Sequence, residues 1–210
     1  MRLLAHRGLW EYPEQKNTTE AFVRALEEGF GIETDVRDLQ GELVVSHDAA
    51  LSGCLEFSEF LSTVRRINPK APLAINIKAD GLQRAFQKSS IESFDHFYFD
   101  MSVPDALLYS KRTMRFYTRY SDIEPYACLL SESQGVWIDN FNSNAIDLEA
   151  IRSFLVQGKR VALVSPELHG FPYQQYWVDL KLFISSNIEY SKQIDLCTDH
   201  PIQAKEFFDE

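Results

Sequence analysis

Short apolar stretches alternate with amphipathic ones along almost all of this 210-residue chain, and no other feature limits its fold as much. Residues 3–5 predict a strand. Residues 18–29 predict a helix with Ala21, Phe22, Ala25 and Leu26 on one face, a threonine cap at its start and Gly29 at its end. Residues 32–36 and 43–46 predict strands joined across Leu39-Gln40-Gly41-Glu42, close enough for a hairpin-like return. A helix over 56–67, stopped by Asn68-Pro69, precedes a strand at 74–77 and a helix over about 81–88. Further strands are predicted at 96–99, 114–117, 135–138, 160–164 and 195–198. Helices fill most of the gaps. The clearest covers 144–157, where Ile146, Ala150, Ile151 and Leu155 make one apolar stripe that Gly158 closes.

Sustained β-α alternation predicts an α/β protein with a parallel sheet. Around eight such units in one domain favour a TIM-like (β/α)8 barrel over an open doubly wound sheet. The nine strand candidates exceed a barrel's eight, which makes one of them the extra arm of the hairpin. The expectation is a single domain over residues 1–210 with short loops, in a chain long enough for a sizeable core.

Composition narrows the partners. Hydrophobic residues make up 45% and charged residues 25%, as in ordinary globular proteins, and no apolar run approaches the length of a membrane span. The first strand candidate begins at Arg2, which leaves no room for a leader before the fold. Cys54, Cys128 and Cys197 are odd in number, widely spaced and without a C-x-x-C pattern. They read as reduced thiols of a cytoplasmic protein, neither a disulfide framework nor a zinc site. A net charge of −10 disfavours a nucleic-acid or anionic-membrane binder, because its long-range field repels polyanions. It is compatible with a small phosphorylated substrate held by local cations and a metal. No oligomeric state follows from the sequence.

In a barrel of this kind the active site lies at the C-terminal ends of the strands. Those ends carry His6-Arg7, Glu33 and Asp35, His47-Asp48, Asn76 and Lys78, Asp100, Asp139, Glu167 with His169, and Asp199. Glu33 and Asp35 stand at i and i+2 of one strand and so share a face. Two like charges side by side are unfavourable unless a cation lies between them, and hard oxygen ligands suit Mg²⁺ or Ca²⁺. The alternative is an edge strand with two solvated acids. His6 and His47 can serve as a general acid/base pair or as structural caps. Arg7 and Lys78 suit a phosphoryl group, one as a bidentate clamp and the other as a point charge. They also suit ion pairs with Glu33 or Asp35, and both readings can hold together.

His6-Arg7-Gly8, Pro13-Glu14, Asn17-Thr18, Ala21-Phe22, Ala25, Gly29, Glu33-Thr34-Asp35-Val36 and His47-Asp48 together resemble the glycerophosphodiester phosphodiesterase family. These are metal-dependent enzymes of the phospholipase C-like phosphodiesterase type, built on a TIM-like barrel. Lys78 in Ile75-Asn76-Ile77-Lys78 is similar to that family's E-I-K strand end, and Thr198-Asp199-His200-Pro201 to its closing T-D-x-P. The resemblance implies a phosphoric diester hydrolase with His6 and His47 as catalytic histidines and one divalent cation, Mg²⁺ or Ca²⁺, on Glu33 and Asp35. Arg7 would hold the phosphate, and Lys78 would neutralise charge near the scissile phosphate. Trp137, with Tyr12, Phe171 and Tyr173, is available either to line the mouth against substrate or to pack.

Three departures from the family pattern stand out. Gln15-Lys16 interrupt the Pro-Glu-Asn-Thr motif and lengthen the first loop, which puts the position of Glu14 in question. The stretch between Asp48 and the next helix is short, which predicts an open mouth fit for a bulky substrate or for a lid from another subunit. The family's third metal ligand, a glutamate, is here Asn76, whose amide oxygen can ligate but brings no charge. Glu167 in Ser165-Pro166-Glu167-Leu168-His169-Gly170 is the first candidate to replace it and Asp139 the second, unless that loop only fastens itself. The expectation is a repositioned or weakened metal site. Two other readings remain open: a catalytically silent barrel that binds a phosphorylated ligand, and a phospholipase-type activity on lipid. No amphipathic basic helix stands out to dock a membrane for the latter.

Overall fold

Parallel strands joined by helices carry both of the units into which the backbone divides, Leu4–Phe116 and Met1–Leu3 with the chain from Tyr117 onward. The structure, a computed structural model, describes residues 1–209. Among these residues no helix is long and apolar enough to cross a membrane.

The first unit runs β1 (Arg2–His6, from Leu4), α1 (Thr19–Glu27), β2 (Gly31–Leu39), β3 (Glu42–Val45) and β4 (Leu55–Glu56). It continues through α2 (Phe57–Ile67), β5 (Leu73–Ile77), α3 (Gln83–Lys88), β6 (His96–Phe99) and α4 (Val103–Lys111). Strand β2 is the organiser. It pairs in parallel with β1, His6 beside Glu33, and with β5, Asp35 beside Asn76, and β5 pairs in turn with β6. Past Asp35 the same strand continues into the predicted hairpin, Val36 beside Val45. The two-residue β4 extends that hairpin by one further antiparallel partner.

Helices α1 and α2 bury the stripes their sequences predict, and the meeting point is aromatic. Phe22 packs edge-on to Phe60 with ring centroids 4.8 Å apart, and contacts continue through Phe57, Phe86, Tyr98 and Tyr109. Each such pair adds about 0.5–1.5 kcal/mol beyond the area it buries. Thr18 caps α1 by accepting from the Ala21 amide.

The second unit contains β7 (Tyr117–Ser121), β8 (Gly135–Asp139), α5 (Leu148–Val156), β9 (Arg160–Val164), α6 (Gln174–Ser186), β10 (Ile194–Thr198) and α7 (Pro201–Asp209). Strands β7, β8, β9 and β10 pair in parallel in that order. Val136, Ile138, Ile151, Leu155, Val161, Leu163, Leu180 and Leu196 form its core, with Ile146 and Ala150 half-buried against it.

Two predicted elements move by four residues at one end. The strand expected at 114–117 is Tyr117–Ser121, because Met114 and Phe116 are buried from an irregular segment that makes only a single bridge to Tyr98. The helix expected from 144 begins at Leu148. Asp147 caps it by accepting from the Ala150 amide, while Asn144 is used to donate to the Pro172 carbonyl.

Candidate active site

The end of β1 answers why His-Arg-Gly stands there. Arg7 adopts a left-handed backbone, φ 59°, and its amide donates to the Glu33 carbonyl at 2.9 Å. Gly8 follows at φ 93°, where an added Cβ would lie 2.8 Å from Ala21 Cβ, so only glycine lets the chain leave the strand against α1. The turn aims the Arg7 side chain back at β2, with Nε 2.7 Å from Asp35 Oδ2.

Pairing in register then collects the other side chains. Glu33 and Asp35 project from one face of β2, and both are buried. Asn76, beside Asp35 on β5, donates Nδ2 to Glu33 Oε1 at 3.2 Å. His6 Nε2 lies 3.9 Å from Glu33 Oε2. Lys78, just past β5, puts Nζ 3.6 Å from Asp35 Oδ1 and donates to Asp100 Oδ2 at 3.2 Å. The Ser46 amide donates to the Asp35 carbonyl at 3.0 Å and so fixes the start of the loop that carries His47. The His47 ring is exposed, with Nδ1 2.8 Å from Asp48 Oδ1. Thus His6, Arg7, Glu33, Asp35, Asn76 and Lys78 come together, and His47 follows one residue beyond the Asp35 anchor. Arg7, Asn17 and Asp100 are non-glycine residues with positive φ in this cluster, a strain of about 1–3 kcal/mol each that persists only where surroundings enforce it.

Burial and the neighbouring Asp35 push the Glu33 carboxyl up to about 7, against the pull of His6, Arg7 and Lys78. Its value in the folded chain therefore lies above that in the unfolded chain. The metal-free protein holds the extra proton, and the associated stability is full below the unfolded value and lost as pH rises through about 7. In EDTA, the unfolding free energy should fall by on the order of 3 kcal/mol from this group between mildly acid and mildly alkaline pH. Glu33→Gln should flatten that part of the profile. Chemical denaturation across pH checks it, and identical slopes for both proteins would contradict it.

Among the described residues, no group of three or more His, Cys, Asp or Glu side chains is arranged to hold a metal ion. The cluster offers two carboxylates and one amide instead. Glu33 Oε2, Asp35 Oδ1 and Asn76 Oδ1 are buried without a hydrogen-bond donor. Each such oxygen costs about 1–3 kcal/mol. A hard divalent cation, which takes carboxylate and amide oxygens alike, would satisfy all three. The residues present fit such a cation, with two charges on the donor set.

Most of the remaining expected residues lie in the second unit. Trp137 is buried within β8. Glu167 accepts from the hydroxyls of Ser165 and Thr198 and from the Asp199 amide at 3.1 Å, and Ser165 in turn accepts from Trp177 Nε1 at 2.8 Å. Both carboxylate oxygens are thereby spent on fastening the loop. His169 Nε2 lies 2.7 Å from Asp139 Oδ1, which holds the imidazole above its ordinary pKa. Glu14 is exposed on the 3₁₀ turn Pro13–Gln15. Asn17, quoted only as part of a motif, has contacts that sequence reasoning missed: its side chain joins Thr34 to Asp35. An asparagine directly before a helix-capping threonine was the only signal the sequence held, and its left-handed φ of 60° is seen only in the structure.

No family model matches the chain, and no curated protein matches it by sequence. Solved structures do match along its whole length. A Galdieria sulphuraria protein assigned as a glycerophosphodiester phosphodiesterase gives a TM-score of 0.76 at 17% identity, covering 100% of this chain and 98% of that one. A phosphodiesterase from Oleispira antarctica, in complex with the product sn-glycerol-3-phosphate, gives 0.70 at 14% identity, with 100% and 97% covered. A Ca²⁺-dependent phosphatidylinositol-specific phospholipase C from Streptomyces antibioticus gives 0.56 at 10% identity, with 99% and 95% covered. At these identities the likeness establishes the fold. The chain has the TIM-like (β/α)8 fold of the glycerophosphodiester phosphodiesterases, as its strand-helix alternation predicts.

Proposed function

We propose that residues 1–210 act as one domain, a metal-dependent phosphodiesterase that hydrolyses a small glycerophosphodiester-like substrate. The observation that carries this reading is the set of three orphaned oxygens, from Glu33, Asp35 and Asn76, ringed by His6, Arg7 and Lys78. A buried pair of acids facing three cationic or ionisable groups suits a ligand that brings both a metal and a phosphate. The product complex of the Oleispira protein and the Ca²⁺ dependence of the Streptomyces one support the same choice of ligand.

Glu33, Asp35 and Asn76 would hold one divalent cation, Mg²⁺ or Ca²⁺. When bound there, such an ion supplies Lewis-acid polarisation of a phosphoryl oxygen. The chain's own groups do the rest. Arg7 meets Asp35 through its inner nitrogen, Nε, so the outer edge of its fork is the part that clamps a phosphoryl group. Lys78, steadied between Asp35 and Asp100, offsets charge that develops on the phosphoryl oxygens. One of His6 and His47 takes the proton from the attacking oxygen, of water or of a hydroxyl next to the phosphate, and the other gives one to the leaving alkoxide. Attack by the neighbouring hydroxyl leaves a cyclic phosphodiester, which water opens with the two histidines in exchanged roles. Attack by water leaves one histidine with an extra proton and the other short of one, and solvent restores both.

One observation favours a second reading. With Asn76 in place of an acid, the donor set brings two charges, which also suits a barrel that binds a phosphorylated ligand without turning it over. Hydrolysis of bis-p-nitrophenyl phosphate and glycerophosphocholine, each with Mg²⁺, Mn²⁺, Ca²⁺ or EDTA, separates the two. Metal-dependent release that EDTA abolishes is expected, with Asn76→Glu working at lower metal concentration than wild type. Silence of both proteins in every lane would replace the enzyme by the binding protein.

A further inference from the structure

We propose that Asn17 is a positioning residue that determines which oxygen of Asp35 is offered to a divalent cation. The inference rests on the metal-dependent reading of Glu33, Asp35 and Asn76 and adds to it a residue that touches neither metal nor substrate.

Asn17 is held at both backbone and side chain. Its own φ is 60°, a left-handed conformation that asparagine adopts more readily than most residues. Its amide donates to the Arg7 carbonyl at 2.9 Å, while the Arg7 amide donates to the Glu33 carbonyl. The turn after β1 is thereby closed on Arg7, which is itself tied to β2. The two residues that interrupt the motif do not disturb this clamp. Gln15 closes a 3₁₀ turn, its Oε1 accepting from the amides of Glu11 at 2.8 Å and Tyr12 at 3.2 Å. The Thr18 hydroxyl donates to the Gln15 carbonyl at 2.7 Å, so the extra length is taken up before Asn17 is reached.

The side-chain amide has one permitted orientation. The hydroxyl of Thr34, fully buried on β2, donates to Asn17 Oδ1 at 2.8 Å. Nδ2 must then face the other way, and it donates to Asp35 Oδ2 at 2.9 Å. Flipping the amide would still let the Thr34 hydroxyl accept from its NH₂, but would set its oxygen against the Asp35 carboxylate, which can only accept. Asp35 Oδ2 is thus committed to Asn17 and Arg7, whereas Oδ1 is buried with no hydrogen bond. Arg7 reaches Oδ2 as an ion pair through an Nε that makes no hydrogen bond, whereas Asn17 supplies a hydrogen bond to the same oxygen.

Two variants test the idea. Asn17→Gly retains the left-handed backbone and removes the amide. Thr34→Val keeps the shape of the buried residue and removes the hydroxyl that anchors the amide oxygen. Binding of CaCl₂ and MgCl₂ is measured by calorimetry and by the metal-induced rise in Tm, with the Tm in EDTA as the structural control. Asn17→Gly should weaken metal binding by about 10- to 100-fold, and Thr34→Val should weaken it less, in the same direction. Wild-type affinity in Asn17→Gly overturns the proposal and leaves the metal site standing, whether or not the Tm in EDTA falls. Absence of binding to the wild-type protein itself overturns the metal site and the proposal together.

Discussion

Replacing His6 by alanine should lower phosphodiester turnover by about 10²- to 10⁴-fold, the usual contribution of a positioned proton-transfer group. The imidazole ends β1 with its side chain 12% exposed and Nε2 3.9 Å from Glu33 Oε2. That separation is too long for a hydrogen bond and short enough for ionic attraction. His47 differs, with its ring 48% exposed and Nδ1 held by Asp48, which leaves the opposite ring nitrogen for substrate. His47→Ala should fall within the same range as His6→Ala. His6 is also one of the charges that draw Glu33 back toward the ionised form, so its loss changes the charge around the metal ligands as well. Assays at saturating metal separate the two effects. In the pH dependence of kcat/KM, each variant should lose one limb of a bell-shaped profile. Less than tenfold loss in both variants would sink the acid/base assignment.

The strand-helix alternation was legible because buried parallel strands are short apolar runs and their helices show one apolar stripe. The rule failed where burial and hydrogen bonding part company. Met114 and Phe116 are as apolar as any strand yet lie outside one, whereas Tyr117-Thr118-Arg119-Tyr120-Ser121 is a strand that reads as polar. Strand ends told where His6, Arg7, Glu33, Asp35, Asn76 and Lys78 gather, because pairing in register carries residues far apart in sequence to one place. What sequence could not give was the partner of each polar group. Glu167 has the composition of a ligand, but Thr198, thirty-one positions later, fills one of its oxygens. His169 and Asp139 are thirty positions apart and meet where the 3₁₀ turn Pro166–His169 reaches the end of β8. Asn17 is an unremarked loop residue until Thr34 and Asp35 are seen on either side of its amide.

The largest expected loss of stability lies at the opposite end of the second unit's strands. Asp195, near the start of β10, is fully buried and receives Arg2 at 2.6 Å through Nε and 2.7 Å through Nη2. Arg160 reaches the same carboxylate at 3.0 Å, and its Nη1 donates to the Lys192 carbonyl. The arginine side chains are 29% and 32% exposed, so water screens them while the carboxylate has none. Cost should follow this asymmetry. Arg2→Met or Arg160→Met alone leaves one partner in place and should cost about 1.5–3 kcal/mol. Arg2→Met with Arg160→Met leaves the buried carboxylate with neither arginine and only the attraction of the Met1 ammonium, and should cost about 3–5 kcal/mol, a third or more of a typical domain's stability. Asp195→Leu leaves only half-solvated cations and should cost less than the double variant. Urea unfolding at neutral pH ranks the four proteins. If Asp195→Leu proved the most destabilised, the fold would depend on the carboxylate as an anchor for two cations, and not on the cations as cover for a charge that water cannot reach.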